Sequence, residues 1–495
     1  MTPRFAPIYR TAELRILETA AGVLPLMERA GRAAAEVART MAADRPGGVL
    51  VLAGPGNNGG DALVVARCLR EWFHDVTVVF RADAARLPPD AAAALAAWRD
   101  AGGAALADIP ARWTGALIVD GLFGIGLTRA LSAEYATQVE LANALGVPIL
   151  ALDVPSGLDA DTGLANGPAI RAAATATFIA LKPGLLTADG IDYCGEVSVH
   201  PLGIDAVSIA RPRGHRLDWP TLSAALPDLL DRSRANVHKG TFGTLGIVGG
   251  AEGMVGAPLL AGRAALYAGS GKVWVGFAAT DRPAVDWGQP ELMLRGAEGV
   301  IDDHPDALVC GPGLGTLHSA RRLVARAVSS PAPLVLDADA LNTVAADPAL
   351  ATAVAARTAP TVITPHPAEA ARLLGTATAI VQGDRLGAAI ALAKRFAASV
   401  VVKGAGSVLA HPDGTWDINA SGNPGLASGG TGDVLSGFVG AFLAQGLDAK
   451  AALRVAVCVH GAAADACVAE GRGPLGLTAG ELAPAARALL NAAGR

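Results

Sequence analysis

The sequence predicts an α/β protein of two units, each built on a largely parallel β-sheet with helices on both faces. Short runs rich in Val, Leu and Ile alternate with alanine-rich stretches of helical length, and this alternation occurs twice along the 495 residues. The runs are apolar at consecutive positions, which is typical of strands buried on both faces. A polar, proline-rich segment at 211–220 interrupts the alternation and predicts a linker. We therefore place one unit at residues 1–215 and the other at 225–495.

Each block contains its own set of predicted strands. In the first block they are Gly48–Ala53, Val76–Phe80, Ala116–Asp120, Pro148–Asp153, Ala176–Ala180 and Val197–Val199. In the second block they are Thr244–Val248, Lys272–Gly276, Ala307–Val309, Leu334–Asp337, Thr361–Thr364, Val400–Lys403 and Ser407–Ala410.

Composition narrows the class of protein. Hydrophobic residues make up 52% of the chain and charged residues 17%, which allows a large core and excludes general disorder. The net charge is −5 without a Lys/Arg block, so a nucleic-acid partner is disfavoured. The longest apolar runs, such as 434–447, are shorter than the ~20 residues of a membrane helix. With no apolar secretion signal and five cysteines outside any CxxC pair, we expect a cytoplasmic, homo-oligomeric enzyme acting on small molecules, away from membranes.

The first strand leads into Gly54-Pro-Gly-Asn-Asn-Gly-Gly-Asp61 and then a helix. Its glycines match the GxGxxG pattern, in which backbone N–H groups at a helix start approach a phosphate. However, Asp61 places a carboxylate in the first helical turn, and Phe80-Arg81 stands where an acidic residue would follow the second strand. These two departures disfavour a plain NAD-dependent dehydrogenase.

Two further strands end in aspartate, at Asp120-Gly-Leu-Phe-Gly-Ile-Gly126 and Asp153-Val-Pro-Ser-Gly-Leu-Asp159. Because parallel strands end along one edge of a sheet, polar residues after three strands should converge there. They are Asn57, Asn58, Asp61, Asp120, Asp153 and Ser156. For any single one, capping of the next helix is the alternative. Together they favour a ligand site, with too little charge for a strong divalent cation site.

These three motifs, in this order and spacing, resemble the NAD(P)H-hydrate epimerase domain, which implies a Rossmann-like three-layer fold over residues 1–215. The resemblance implies potassium ligands at Asn58, Asp120 and Ser156. It implies contacts with the hydrated nicotinamide nucleotide at Asn57, Asn58, Gly59, Gly60, Asp61, Gly124, Ile125, Gly126, Leu127, Thr128, Arg129, Ala130 and Asp153. Lys182 follows another strand and could lie near Asp153. The sequence leaves two interpretations open: a catalytic role beside Asp153, or a surface lysine at the end of a strand.

The most informative stretch of the second block is Asn419-Ala-Ser-Gly-Asn-Pro-Gly-Leu-Ala-Ser-Gly-Gly-Thr-Gly-Asp433, which leads into an apolar helix. Its glycines leave N–H groups unobstructed at a helix start, where they stabilise phosphate charge. Asp433 is placed to take a proton from a hydroxyl that attacks phosphorus, and a simple helix cap is the alternative. The chain has neither a Walker A sequence nor a G-x-S-x-G elbow, which excludes a P-loop NTPase and an ordinary α/β-hydrolase.

The glycine-rich loop resembles the ribokinase-like fold, and companion motifs narrow the resemblance to the ADP-dependent NAD(P)H-hydrate dehydratase domain. The companions are Val237-His-Lys-Gly-Thr-Phe-Gly243, Gly253-Met-Val-Gly-Ala-Pro258, Gly311-Pro-Gly-Leu-Gly315, Asp337-Ala-Asp-Ala-Leu-Asn342, Thr364-Pro-His-Pro-Ala-Glu369 and Lys403-Gly-Ala-Gly-Ser407. Val255, Pro258 and Ala368 depart from the residues usual at those positions.

The resemblance implies that the hydrate is contacted by Ala257, Gly313, His366 and Asp433. It implies that ADP is held by Lys403, Gly404, Ala405, Gly406, Ser407 and Gly432. From the residues alone, His366 between two prolines is also compatible with a turn histidine. Asp337 and Asp339 would orient substrate or metal, or Asp339 would cap a helix.

The function implied is bifunctional repair of hydrated NADH and NADPH. One unit would interconvert the R and S epimers, with Asp153 and Lys182 as catalytic candidates. The other would dehydrate the S form with ADP, giving NAD(P)H, AMP and phosphate, with Asp433 as base and Mg²⁺ on the nucleotide phosphates. The alternatives are a ribokinase-type small-molecule kinase with an accessory nucleotide-binding domain, and a first unit without catalytic activity.

Overall fold

A computed structural model describes residues 5–22, 24–127, 129–226 and 230–493 of the chain. The chain divides into two compact units, Pro7–Arg213 and a second formed by Met1–Ala6 with Gly214–Arg495. Thr128, an expected substrate contact, lies outside the described residues.

The first unit is built on a parallel sheet. With strands numbered along the chain from β1 (Ala6–Ile8), it contains β2 (Gly48–Ala53), β3 (Val76–Phe80), β4 (Ala105–Leu106), β5 (Gly115–Gly121), β6 (Ile149–Leu152), β7 (Ala174–Phe178) and β8 (Glu196–His200). Their order is β4-β3-β2-β5-β6-β7-β8, and each neighbouring pair is parallel. Its helices are Thr11–Ala20, Leu26–Ala42, Asn57–Glu71, Pro89–Asp100, Ala133–Ala144, Gly190–Tyr193 and Ala206–Ile209.

Alternation along β2 shows why this unit has three layers. Val49 and Val51 belong to a core shared with helices Leu26–Ala42 and Asn57–Glu71. Leu50 and Leu52 belong to another core, shared with helix Ala133–Ala144. Successive side chains of a strand point to opposite faces, so an all-apolar strand must be covered on both.

The second unit contains a larger, mixed sheet. Its strands are β9 (Gly214–Leu217), β10 (Thr244–Gly249), β11 (Lys272–Phe277), β12 (Met293–Gly296), β13 (Ala307–Cys310), β14 (Leu334–Leu336), β15 (Thr361–Ile363), β16 (Ser399–Val402), β17 (Val408–Ala410) and β18 (Trp416–Asn419). Within this unit the order is β9-β18-β17-β16-β15-β14-β13-β10-β11-β12, with antiparallel pairs at β16–β17 and β17–β18. Described helices are Trp219–Ser223, Gly256–Tyr267, Ala297–Asp302, His318–Ser329, Ala338–Ala346, Pro348–Ala355, Pro367–Leu374, Thr378–Gly383, Arg385–Phe396, Thr431–Ala444, Ala449–Ala469 and Ala479–Ala492.

The predicted fold class is confirmed, and each predicted strand has a counterpart within two residues. The linker prediction is wrong for Gly214–Leu217, which forms β9 and pairs with β18. The sequence of this strand is polar and without an apolar period, so it gives no local strand signal. The strand is stabilised by pairing with residues about two hundred positions away. A Cβ on Gly214 would lie 2.1 Å from the Trp416 ring, so the strand passes directly over that indole.

Helix Ala449–Ala469 is long and apolar enough to cross a membrane by length and composition alone. However, 72% of its apolar window is buried inside the unit. Its apolar residues are therefore accounted for by the core that they share with helices Thr431–Ala444 and Ala479–Ala492.

Candidate active sites

A cavity of about 1140 Å³ lies in the first unit, at the carboxyl ends of its central strands. It is large enough for a dinucleotide-sized ligand. The expected site residues that line it are Asn57, Asn58, Asp61, Gly124, Ile125, Gly126, Leu127, Asp153 and Lys182. The convergence expected from the three strand ends is thus present in the fold.

Asp153 and Lys182 form a buried ion pair in this cavity. The Lys182 ammonium donates to Asp153 Oδ1, to Thr177 Oγ1 at 2.8 Å and to the Phe178 carbonyl at 2.7 Å. Lys182 is only 1% exposed, so the alternative of a surface lysine is wrong. Asp153 adopts φ +65°, a left-handed conformation that costs free energy in a non-glycine residue and is concentrated at functional sites.

Asp120 and Ser156 lie behind the cavity wall and are hydrogen-bonded to each other. Ser156 Oγ donates to Asp120 Oδ1 at 2.7 Å, and the Ser156 N–H donates to Oδ2 at 2.8 Å. Burial raises the pKa of Asp120 to about 6, although these bonds act in the opposite direction.

The residues expected to bind potassium fit a monovalent cation. The buried Asn58 Nδ2 has no hydrogen-bond partner among the described residues, and an amide in this state is free to turn its oxygen toward a ligand. Amide, hydroxyl and carboxylate oxygens from Asn58, Ser156 and Asp120 supply little net charge. Across the described ranges there is no group of three or more His, Cys, Asp or Glu that would hold a metal ion.

Close backbone packing requires glycine at two positions around the start of helix Asn57–Glu71. A Cβ on Gly54 would lie 1.7 Å from the Leu122 carbonyl oxygen, and one on Gly59 would lie 2.0 Å from that of Gly54. Gly60 instead lies against the end of the Met27 side chain, 2.5 Å from where its Cβ would be. Four of the expected substrate contacts do not line the cavity. They are Gly59, Gly60 and the exposed residues Arg129 and Ala130.

The first two helices form a wall of this cavity that no motif in the sequence indicates. Arg15 and Glu18 come from helix Thr11–Ala20, and Met27 from the next one. Burial, followed by the charge of Asp153, raises the pKa of Glu18. These helices precede β2 and carry no motif, so only their position in the fold reveals their contribution.

In the second unit, helix Thr431–Ala444 begins at the glycine-rich loop. Its N-cap is Gly430, at φ +89°, and no side chain caps the first turn. Asp433 is the third residue of the helix, so the alternative of Asp433 as the N-cap is wrong. The first N–H groups of the helix therefore have no side-chain cap, and an uncapped helix start of this kind is suited to an anion such as phosphate.

Lys403 lies at this helix start and is held by a second carboxylate. Its ammonium donates to Asp337 Oδ1 at 2.9 Å, and Ser436 Oγ donates to Asp337 Oδ2 at 2.5 Å. A Cβ on Gly432 would lie 3.4 Å from Lys403 Nζ. Burial lowers the pKa of Lys403, but the charges of Asp337 and Glu369 outweigh it, so the pKa is raised and the ammonium is retained.

Asp433 has a different environment from Asp337. No hydrogen bond or ion pair reaches its carboxylate from the described residues. Burial and then the Asp337 charge raise its pKa to about 6, with Lys403 acting in the opposite direction. A carboxylate of this basicity, beside a phosphate site, is suited to accept a proton near neutral pH.

The expected substrate contacts Ala257 and Gly313 are neighbours. A Cβ on Gly313, which has φ +59°, would lie 3.1 Å from that of Ala257. Two residues on, the Gly315 N–H donates to Asp339 Oδ2 at 2.8 Å. Asp339 therefore orients the loop of Gly313, and helix capping by Asp339 is not what the structure shows.

His366 caps helix Pro367–Leu374. Its Nδ1 accepts from the N–H groups of Ala368 and Glu369 at 3.1 and 3.4 Å, and Nε2 lies 3.2 Å from Glu369 Oε1. Because Nδ1 accepts, the proton of a neutral imidazole lies on Nε2. The side chain is 48% exposed, which leaves one face of the ring open to a ligand.

The expected ADP loop after β16 is a tight turn beside Lys403. Ser407 Oγ donates to the Gly404 carbonyl at 3.0 Å, and Gly404 has φ +151°. Arg385 donates to the Ala405 carbonyl. Gly406, at φ +60°, completes the turn.

Helix Ala449–Ala469 holds the glycine-rich loop, a role that the sequence analysis missed. Asp465 accepts from the Gly422 N–H at 2.8 Å and from Asn423 Nδ2 at 2.9 Å. His460 Nε2 lies 2.9 Å from the Thr431 carbonyl. Burial lowers the pKa of His460 to about 4, so the ring is neutral and donates through Nε2.

Together these features define a nucleotide-dependent enzyme with two sites. Family models match both units: "YjeF-related protein N-terminus" over residues 23–184, and "NAD(P)H-hydrate dehydratase" over residues 245–484. A bifunctional NAD(P)H-hydrate repair enzyme from Escherichia coli K12 is 41% identical over 453 residues, covering 90% of this chain and 85% of the relative. One from Coxiella burnetii is 37% identical over 500 residues, covering 98% and 99%.

A solved structure is also similar to this chain. It is an ADP/ATP-dependent NAD(P)H-hydrate dehydratase from Bacillus subtilis, co-crystallised with ATP and Mg²⁺, with 31% identity, a TM-score of 0.49, and coverage of 55% of this chain and 96% of that chain. On the sequence relatives, the chain belongs to the family of bifunctional NAD(P)H-hydrate repair enzymes. The alternative of a ribokinase-type kinase is not favoured.

Proposed function

We propose that the chain restores hydrated NADH and NADPH in two reactions. The first unit interconverts the R and S epimers, and the second dehydrates the S epimer with ADP, yielding NAD(P)H, AMP and phosphate. The observation that carries the proposal is Asp433, a desolvated carboxylate with pKa about 6 beside an uncapped, glycine-lined helix start.

In the dehydratase reaction, Asp433 accepts the proton of the substrate hydroxyl as that oxygen attacks the β-phosphorus of ADP. The helix N–H groups and Lys403 stabilise negative charge on the phosphoryl group in transfer. The bond from the β-phosphorus to AMP breaks, and the hydroxyl becomes a phosphate ester. Phosphate then departs with the electrons of the C–O bond, and loss of a proton to solvent from the adjacent ring carbon restores the C=C bond. Mg²⁺ would neutralise the nucleotide phosphates when bound, and the few nearby carboxylates suit a cation carried mainly by phosphate oxygens.

For the epimerase reaction we propose that Asp153 and Lys182, which line the cavity, contact the substrate, and that K⁺ would be held by Asn58, Asp120 and Ser156. We also propose that the enzyme is a cytoplasmic homo-oligomer. The five cysteines are all free, as in a reducing compartment, and light scattering would test the assembly.

The test uses the full chain and a mixture of both NADH-hydrate epimers. With ADP and K⁺, NADH absorbance should rise until both epimers are consumed, and without ADP it should not rise. The Asp153→Asn variant should stop when the S epimer is exhausted. A phosphorylated product that accumulates without NADH would contradict the proposal and favour a kinase.

A further inference from the structure

Asp61 stands out among the charged residues of the first unit's cavity. Its side chain lines the cavity and the residue is only 9% exposed. No hydrogen bond or ion pair to its carboxyl is found among the described residues. A buried carboxylate without a partner is costly, and protonation removes that cost.

Asp153, in the same cavity, has the opposite surroundings. Besides the Lys182 ammonium, its Oδ1 accepts from the Phe178 N–H at 3.2 Å and from Thr177 Oγ1 at 3.3 Å. Three donors therefore reach the Asp153 carboxylate, whereas none reaches Asp61 from the described residues. Burial, then the charges of Asp153 and Glu18, raises the pKa of Asp61 well above its ordinary value. The cavity thus holds one carboxyl without a donor and one that is hydrogen-bonded by an ammonium, two different environments of the kind that divide acid and base roles between carboxyl groups.

The other charged groups of the cavity do not remove the difference between the surroundings of Asp61 and those of Asp153. Arg15 and Glu18 face it from the first helix, Asp90 faces it from helix Pro89–Asp100, and Glu28 and Arg67 are paired with each other. Lys182 also lines the cavity, and its hydrogen bonds go to Asp153, Thr177 and Phe178. Among the described residues, no cation forms an ion pair with Asp61.

The chemistry of the substrate sets what is needed. Water adds to an enamine with its oxygen on the carbon attached to nitrogen, so the two epimers differ at a carbon bearing both a hydroxyl and the ring nitrogen. That carbon loses hydroxide readily only when the oxygen is protonated, because water is the better leaving group.

We propose that Asp61 is the general acid of epimerisation and Asp153 the general base; this rests on the epimerase function proposed above. Asp61 gives its proton to the hydroxyl oxygen, the C–O bond breaks, water departs, and the nitrogen lone pair forms a C=N⁺ bond. Water then adds to the other face of the planar carbon, and the C=N electrons return to nitrogen. Asp153 takes the proton of the entering water. No atom changes oxidation state, and proton exchange with solvent returns both carboxyls to their starting forms.

The test is Asp61→Asn, which keeps the size and neutrality of a protonated aspartate but has no proton to transfer. Epimerisation should slow by about 10²–10⁴-fold. In the wild type, kcat/KM should fall as pH rises through the pKa of Asp61, because the acid must be protonated. The variant should lack this alkaline limb while KM, thermal stability and ADP-dependent dehydration stay near wild type. Asp100→Asn, the same change at an exposed residue outside the cavity, is the control.

Epimerisation within about threefold of wild type, or a retained alkaline limb, would overturn the assignment of Asp61. If Asp61→Asn does not fold, Asp61→Glu keeps the acid and should retain an alkaline limb with a shifted midpoint; a limb unchanged from wild type would overturn the proposal. A wild-type chain that does not epimerise would instead refute the underlying function.

Discussion

The two candidate sites place a lysine beside aspartates in different ways. In the first unit, Lys182 pairs with the candidate catalytic carboxylate, Asp153. In the second unit, Lys403 pairs with Asp337 and leaves Asp433 without a hydrogen bond. The comparison teaches that the partner of the lysine decides the surroundings of the catalytic aspartate: Asp153 is hydrogen-bonded by an ammonium, whereas burial and the charge of Asp337 raise the pKa of Asp433 to about 6.

Removing the unpaired carboxylate should have the largest effect. Asp433→Asn preserves shape but cannot accept the hydroxyl proton, so dehydration should fall by about 10²–10⁴-fold. ADP affinity, measured by calorimetry, should change little because backbone N–H groups and Lys403 hold the phosphates. Epimerisation by the same sample is the internal control. Dehydration near the wild-type rate would show that another group takes the proton.

Removing the lysine of the paired site should affect folding as well as activity. Lys182→Met leaves the Asp153 carboxylate buried without its cation, a change that costs about 3–5 kcal/mol in comparable buried pairs. Urea unfolding should show this loss in the transition that abolishes epimerisation. Lys450→Met, at a partly exposed pair with Asp413, is a matched control that should change stability by less than about 1 kcal/mol. Equal losses in the two variants would contradict the proposed difference.

The potassium site should give a smaller effect. Asp120→Ala should weaken activation of epimerisation by K⁺ about 10–100-fold, since it removes a ligand oxygen and the partner of Ser156. Titrating K⁺ against a bulky organic cation at constant ionic strength measures this. Dehydration should be unchanged. Equal epimerase rates in the two cations would rule out the site.

The smallest effect concerns the pH profile of dehydration. Asp433 works ionised, so kcat/KM should fall as pH drops through about 6. Asp337→Asn removes a charge that raises the pKa of Asp433 and frees Lys403, so the midpoint should move down by about 1 pH unit or more. An unchanged or higher midpoint would show that Asp337 does not set the basicity of Asp433.

Much of the fold was predictable because its strands are apolar on both faces. β2 and β3 were predicted at their observed bounds, since Gly48–Ala53 and Val76–Phe80 are continuous apolar runs. β9 and β18 were not predicted, because their pairing is non-local and their polar side chains find partners only in the folded sheet. His215, Asp417 and His411 meet there in one buried network.

Local motifs were also enough to place the strand-end aspartates, but not their partners. Asp337 and Lys403 each follow a strand, and only the strand order brings them within 2.9 Å. Likewise, Glu18 reaches the first cavity from a helix whose sequence has no functional signature. Contacts between distant segments depend on topology, which periodicity does not encode.

The attachment of the glycine-rich loop to helix Ala449–Ala469 has a consequence for nucleotide capture. Asp465 fixes the start of the loop and His460 fixes its end, so the N–H groups are already oriented before a ligand arrives. A loop of this composition would otherwise lose much conformational entropy on ordering, because glycine is the most mobile residue in a free chain. The phosphate meets a preorganised surface, and association is limited by diffusion and charge more than by rearrangement of the loop.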